Sequence, residues 1–389
     1  MIHRKIVSAI ATFIVLCCAL PADALLFARQ GFLYHQQAGN ASSMAAFYFN
    51  PAEMTLYQFR VAASIQYADN GYTYKRSPYL GKEKFTTGRE PFRMPMLCAS
   101  TAYSILGFSF TLGARYDIPE YFSADFEPDG LDQAARIRMD RYALLLGKEL
   151  AHGRARIGMG LSMIEARTKI AGIHQGKYLS YKGFGSTLDG LTLGAIYLIN
   201  DVLMVSGVYE IPTTIKTLED EYVIARHTRK RLNLYAPRRL GIGAVCWLSG
   251  ESRVSLSAFM LDYIKTDTLR IREDKKEIAV IPVSFGAGYT MNVGLMQYLS
   301  RYASIKAGLG KSVAAASKKT PLPYADTGQW SAELGFALSD NGYTLSVGAG
   351  YAWGRRTIDP LDVRGQARPA AGVQKIANPN IMFGFEYNR

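Results

Sequence analysis

Residues 106–117 read Leu106-Gly107-Phe108-Ser109-Phe110-Thr111-Leu112-Gly113-Ala114-Arg115-Tyr116-Asp117. Leu106, Phe108, Phe110, Leu112, Ala114 and Tyr116 take every second place, and glycine or a polar or charged residue fills each place between. Successive side chains of a strand point to opposite faces, so this period of two makes one face apolar and the other small or polar. The pattern returns at Ala155, Ile157, Met159, Leu161, Met163, at Leu191, Leu193, Ala195, Tyr197, and at Leu240, Ile242, Ala244, Cys246, Leu248. Working outward gives about fourteen strands, near 59–68, 94–103, 105–117, 136–149, 154–168, 186–198, 202–214, 232–248, 252–266, 277–290, 301–311, 328–338, 342–354 and 376–387, each boundary read to within a few residues.

The connections alternate in length. Tyr103-Ser104, Ala151-His152-Gly153, Ile199-Asn200-Asp201, Ser249-Gly250-Glu251 and Asp340-Asn341 are tight turns. Residues 69–93, 118–135, 169–185, 215–231, 267–276, 312–327 and 355–375 read as long loops, and 291–300 as a longer connection on the short side. Up-and-down outer-membrane barrels alternate in this way. Periodicity alone does not separate a barrel with an apolar outside from a soluble sheet with an apolar core. Three features favour lipid: strands of about ten residues or more, a second face rich in Gly, Ser, Thr, Arg and Glu, and proline near strand starts only (Pro95, Pro282). An open sheet edge in hydrocarbon would leave backbone groups unpaired, so closure is required.

Composition agrees. The 389 residues hold 36 Gly, 25 Tyr and 4 Cys, with 20% charged residues and a net charge of +13. That excludes a disulfide scaffold, a coiled coil and a disordered chain, and a mean hydropathy of −0.01 excludes a bundle of membrane helices. Residues 1–24 read as a secretory signal peptide: Arg4 and Lys5, an apolar run from Ile6 to Leu20, and Ala22-Asp23-Ala24 as the cleavage site.

Residues 25–58 do not alternate. Asn40 and Ser42 suit the cap of a short helix, Asn50-Pro51 breaks it, and residues 52–56 make another helical turn. Phe32, Leu33, Met44, Phe47, Tyr48, Phe49, Met54 and Leu56 call for burial. The segment reads as a hatch plugging the barrel of 59–389; the alternative is a periplasmic tail.

Gly39-Asn40-Ala41-Ser42 followed by Phe49-Asn50-Pro51-Ala52 resembles the hatch of the FadL-type long-chain fatty-acid transporters of the bacterial outer membrane. Gly190 to Tyr197 with Val208-Tyr209-Glu210-Ile211-Pro212, and Leu232 to Pro237 with Leu240-Gly241-Ile242-Gly243, look like that family's mid-barrel strands. The resemblance covers nearly the whole chain after residue 24. It implies a fourteen-stranded outer-membrane barrel, all β, with an N-terminal hatch, and uptake of long-chain fatty acids or similar hydrophobic molecules by a monomer in contact with outer-membrane lipid. By this analogy the ligand passes a pocket above the hatch and leaves sideways through the wall. Phe47, Phe49, Asn50, Pro51 and Met54 are the candidates for hatch and pocket. Gly107 and Gly113 either kink the third strand, which bends in this family, or make room for the plug. The chain departs from the pattern in two ways. It ends Tyr387-Asn388-Arg389 rather than on an aromatic residue, and its strong positive charge is unusual; a divergent branch, such as the spirochaetal relatives, suits both.

Arg226-His227-Thr228-Arg229-Lys230-Arg231 is the densest basic cluster. It reads as a solvated loop or one near anionic head groups; the sharper reading gives Arg229 or Arg231 a substrate carboxylate. Five His without ligand spacing imply no metal. There is no nucleophile elbow, and Gly308-Leu309-Gly310-Lys311-Ser312 lacks the first glycine of a P-loop. Neither an enzyme, a cofactor nor a nucleic-acid partner is expected. The competing functions are a surface adhesin with a blocked barrel and a secretion-accessory barrel.

Overall fold

The computed structural model describes residues 50–56, 58–69, 71–76, 84–86, 91–106, 108–125, 133–174, 177–223, 226–263, 268–274, 276–314, 318, 328–359 and 372–389. Fourteen antiparallel strands close into a barrel. They are β1 (Phe59–Asp69, continued by Gly71–Arg76), β2 (Lys84–Thr86 and Pro91–Ile105), β3 (Phe108–Asp125), β4 (Gln133–Leu150), β5 (Ala155–His174), β6 (Lys177–Asn200) and β7 (Leu203–Glu210 and Thr213–Val223). The remainder are β8 (Arg226–Ala236 and Arg238–Trp247), β9 (Ser252–Asp262 and Thr268–Glu273), β10 (Lys276–Pro282 and Ala287–Ser300), β11 (Ala303–Val313), β12 (Gln329–Asp340), β13 (Tyr343–Ile358) and β14 (Gly372–Asn388). Each pairs with the next, and β1 pairs with β14 from Arg60 opposite Asn388 to Ala68 opposite Asn380, so neither edge is left open.

The fourteen strands expected from the sequence are these fourteen, but their ends differ. The loops expected over 169–185 and 215–231 are mostly strand, since β5 runs to His174, β6 starts at Lys177, β7 runs to Val223 and β8 starts at Arg226. The connection expected over 291–300 is also strand, up to Ser300, with Met291, Val293 and Leu295 exposed and Asn292 and Met296 buried. β6 alone has 24 residues, against the roughly ten a tilted strand needs to cross hydrocarbon.

The surplus length divides the wall into two storeys. In the lower storey, nearer the tight turns, the exposed face carries Leu112, Leu144, Leu161, Leu193, Ile242, Leu256, Leu309 and Leu334. The interior there holds Arg60, Ser64, Arg115, Arg141, Ser162, Thr192, Asn292 and Glu333, all buried. In the upper storey Ile170, Tyr181, Ile215, Leu232, Leu234, Ile271 and Ile281 pack inside as one apolar cluster. Lys182, Lys216, Arg229, Arg231 and Arg270 are exposed outside. A polar interior within an apolar exterior is the arrangement of a wall solvated by lipid; the reverse arrangement above it is that of a wall standing in water. On β6 and β7 the storeys meet at a change of facing. Buried residues are even-numbered below (Thr192, Ile196; Met204, Val208) and odd-numbered above (Tyr181; Thr213, Ile215, Thr217).

Candidate functional site: the plug seat and the lumen

Asn50-Pro51 opens the one described piece of the N-terminal segment that the sequence reads as a hatch. Pro51–Leu56 is a 3₁₀ turn with Pro51, Ala52, Glu53 and Met54 buried, and proline suits its first position because no backbone donor is lost there. The Glu53 N–H donates to the Asn50 carbonyl at 3.1 Å, and the Ala52 N–H donates to Asn50 Oδ1 at 3.0 Å. The Thr55 hydroxyl donates to the Ala52 carbonyl at 2.9 Å. Asn50 thereby folds its own turn through Oδ1 and holds the wall through Nδ2, which donates to the Ala195 carbonyl of β6 at 3.1 Å and the Gly207 carbonyl of β7 at 3.2 Å. Those two residues are register partners, so one amide bridges two strands.

The turn lies on glycines. Gly147, Gly158 and Gly194 stand opposite one another across β4, β5 and β6. A Cβ on Gly158 would collide with the Pro51–Ala52 backbone, one on Gly194 with Asn50, and one on Gly147 would come within 2.6 Å of Thr55. On β3, a Cβ at Gly113 would approach Met54 Sδ to 3.2 Å. The bed is flat because these positions lack side chains, which lets backbone approach backbone.

Glu53 is fully buried under this turn and neither carboxylate oxygen has a hydrogen-bond partner. Burial pushes its pKa from 4.5 up to about 7, against the opposing pull of Arg60, Arg156 and Arg253.

A charged belt crosses the lumen above the glycine bed. Arg141 donates from Nε and Nη2 to Asp117 at 2.9 and 2.7 Å and from Nη1 to Glu210 at 2.6 Å. Arg239 reaches the other Glu210 oxygen at 3.3 Å, and Arg115 lies 3.4 Å from Asp117. Lower down, Arg60 pairs with Glu386 at 2.6 Å. A greasy molecule traversing this belt would have to separate buried ion pairs, which is strongly unfavourable. The apolar cluster of the upper storey lies above it.

No family model matches the chain, and no curated relative matches it. Among solved structures it is similar to a Pseudomonas aeruginosa FadL homologue, at 15% identity over 90% of this chain and 96% of that one, with a TM-score of 0.69. The fold is the FadL-type barrel. The P. putida toluene transporter TodX gives a TM-score of 0.66 at 11% identity, covering 91% of this chain and 98% of that one. The Ralstonia pickettii toluene transporter TbuX gives 0.64 at 11%, covering 92% and 98%. The low identities fit a divergent version of the FadL-type barrel.

Of the residues singled out from the sequence, Asn50, Pro51, Met54 and Gly113 come together in the seat. Phe47, Phe49 and Gly107 lie outside the described residues, as do residues 1–24, expected as a signal peptide, and residues 25–49, expected as hatch. The ladders on both sides of Gly113 are unbroken: it pairs with Ser100 and with Leu145, and the register shift on β3 falls later, between Asp117 and Glu120. Arg229 and Arg231 stand apart, exposed on the upper segment of β8 while Leu232 beside them faces the core. Sequence reasoning missed Glu53, the glycine row and the belt. The inward glycines were visible as the non-apolar face of each strand, but their alignment needs the register. Glu53 in Asn50-Pro51-Ala52-Glu53-Met54 carries no periodic signal.

Proposed function

We propose that this chain is an outer-membrane transporter that takes up long-chain fatty acids or similar hydrophobic molecules through a hatch-plugged barrel, after removal of the signal peptide near Ala24. The observation that carries it is the pairing of a lipid-solvated lower wall with an apolar upper interior that ends on a charged, plugged floor. Water is a poor medium for such a substrate, at about 0.8 kcal/mol for each exposed CH₂. The upper interior offers it apolar side chains in place of water, and in this reading the plug and belt deny the barrel an aqueous pore. The solved neighbours support the same class, being described as a FadL homologue and toluene transporters. Recognition in this reading is a matter of shape and apolar contact, with no cofactor, and the unit at work is a single chain in contact with membrane lipid.

The test is to purify the protein in a short-chain detergent, extract it with organic solvent and identify what comes out by mass spectrometry. Near-stoichiometric fatty acid or another hydrophobic compound is the expected result. A clean blank, repeated after incubation with labelled fatty acid, would overturn the reading and favour a structural or adhesive barrel.

A further inference from the structure

We infer that the outer wall at β11 to β14 carries a binding site for a phosphate-bearing membrane lipid. Arg355, Lys375 and Lys311 hold the phosphate, and the acyl chains run down the wall below Trp330 and Trp353. The inference goes beyond uptake and does not depend on it; it needs only that the barrel stands in a membrane.

Strand register builds the site. Lys311 of β11 pairs with Trp330 of β12, Trp330 with Trp353 of β13, and Trp353 with Ala377 of β14. Two residues higher, Arg355 pairs with Lys375, and Lys375 with Thr73 of β1. Residues two apart on a strand share a face, and Lys311, Trp330, Trp353, Arg355, Lys375 and Ala377 are all exposed. Arg355 and Lys375 therefore stand on the outside, in the row above Lys311 and the two indoles. Gly328, two before Trp330, and Ala377, beside Trp353, are too small to fill the space between these rows. A recess of about 610 Å³ opens there, lined also by Thr73.

Height is set by the tight turn from Asp340 to Tyr343. Trp330 and Trp353 lie about ten residues above it on β12 and β13, the length a tilted strand needs to cross hydrocarbon. Below them the outer face is apolar through Leu309, Leu334, Val347 and Ile381. Tyr351 stacks on Trp353 with ring centroids 6.0 Å apart. Outward rings at this height make the aromatic girdle that marks the head-group level. Lys311 Nζ lies 4.7 Å from the centroid of the Trp330 ring, which keeps the ammonium at that level.

Charge separates this patch from the other basic parts of the wall. In the densest basic run of the sequence, Glu219 stands opposite Lys230 and Asp220 opposite Arg229, and Lys230 pairs with Glu219 at 3.4 Å. Arg270 pairs with Glu277 at 2.7 Å. Lys311, Arg355 and Lys375 have no ion pair among the described residues, and the outward positions around them, Leu309, Ala332, Tyr351, Ala377 and Pro379, hold no acid. They are far apart in sequence and meet only through the register. Basic residues at the head-group level attract anionic lipid. A lipid phosphate supplies the missing charge and accepts hydrogen bonds from the Arg355 guanidinium, and its acyl chains cover the apolar band that the same strands present.

The chain has three tryptophans, so Trp247→Phe leaves Trp330 and Trp353 as fluorescent reporters of the site. The protein is reconstituted in phosphatidylcholine vesicles that carry, as a minor component, phosphatidylglycerol with brominated chains or phosphatidylcholine with the same brominated chains. Quenching by the brominated phosphatidylglycerol is expected to be stronger, equivalent to an association about tenfold tighter, and to fall with added salt. Lys311→Gln, Arg355→Gln and Lys375→Gln together, with heat-modifiable migration retained, are expected to bring the two lipids within about twofold of each other. Arg229→Gln with Arg231→Gln removes exposed cations elsewhere and is expected to leave the preference in place. Equal quenching by both lipids in the parent protein, or a preference that survives the triple replacement, would overturn the site. So would a preference lost equally in the β8 double variant, which would make it an effect of net charge alone. None of these results touches the uptake reading. Stronger quenching by brominated stearic acid than by brominated phosphatidylglycerol would assign the recess to carboxylates and overturn the lipid.

Discussion

The lower and upper storeys of the barrel are built from the same fourteen strands and obey opposite rules. Below, Leu144 and Ile242 are exposed while Arg141 and Thr192 are buried. Above, Arg231 is exposed while Leu232 and Ile271 are buried. Backbone geometry is the same in both; what differs is the medium outside and the occupant inside. Below, the Asn50–Leu56 turn lies against the inner wall and Asn50 bonds to it, while the outer face is apolar. Above, the outer face meets water, and an apolar interior is the stable complement.

The largest test of this contrast is at the seat. Gly158→Val drives a side chain into the Pro51–Ala52 backbone, and the plug is expected to be expelled, a cost of about 3 kcal/mol or more. The check is protease cleavage around residues 50–56 with heat-modifiable gel migration retained. Gly207→Ala, whose Cβ has only the Gly241 carbonyl at 3.9 Å, is expected to leave the plug protected.

A second test exchanges polarity on the outer face. Leu144→Arg puts a charge on the lipid side and is expected to lower stability by about 2–4 kcal/mol in bilayers, measured by denaturant titration in vesicles. The effect should shrink in water-soluble polymer, where no hydrocarbon opposes the charge.

The third concerns pH. Glu53 sits near 7 in the seated plug against an ordinary 4.5, so the seated state binds the proton more tightly. Seating is fully favoured below 4.5 and weakens as pH rises through 7. The expected loss is about 2–3 kcal/mol between about pH 5 and pH 8, read as rising protease access to the plug. Glu53→Gln should flatten the profile at its low-pH level; a slope unchanged in that variant would assign the effect to another group.

The smallest effect is expected at Arg231→Leu. This arginine is exposed on the upper wall, and its loss should move stability by no more than ~0.5 kcal/mol. A large change on the same denaturant titration would mean that the upper face is not simply solvated.

Much of this was legible in the residues. The alternation at 106–117 and its repeats count the strands correctly, because a period of two is a local property of extended chain. The same signal misplaced the upper ends of β5 to β8. A reader expecting apolar-out and polar-in loses the pattern where Tyr181 and Leu232 turn inward and Lys182 and Arg231 turn outward. Asn50, Pro51 and Met54 were singled out through the resemblance of Phe49-Asn50-Pro51-Ala52 to a hatch motif, but Glu53 was not, since burial of a lone carboxylate is a property of its neighbours.

By itself, then, the sequence determined the all-β class, the fourteen strands, the up-and-down order and the turn at Asn50-Pro51, each of them set by interactions between residues close in the chain. Only the tertiary structure decided which glycines align under the Asn50–Leu56 turn, that Arg141 joins Asp117 to Glu210, and that Asn50 bridges the paired strands β6 and β7. Those features join residues as far as 157 positions apart, as Asn50 and Gly207 are. They depend on strand register and barrel closure, which a local period leaves open.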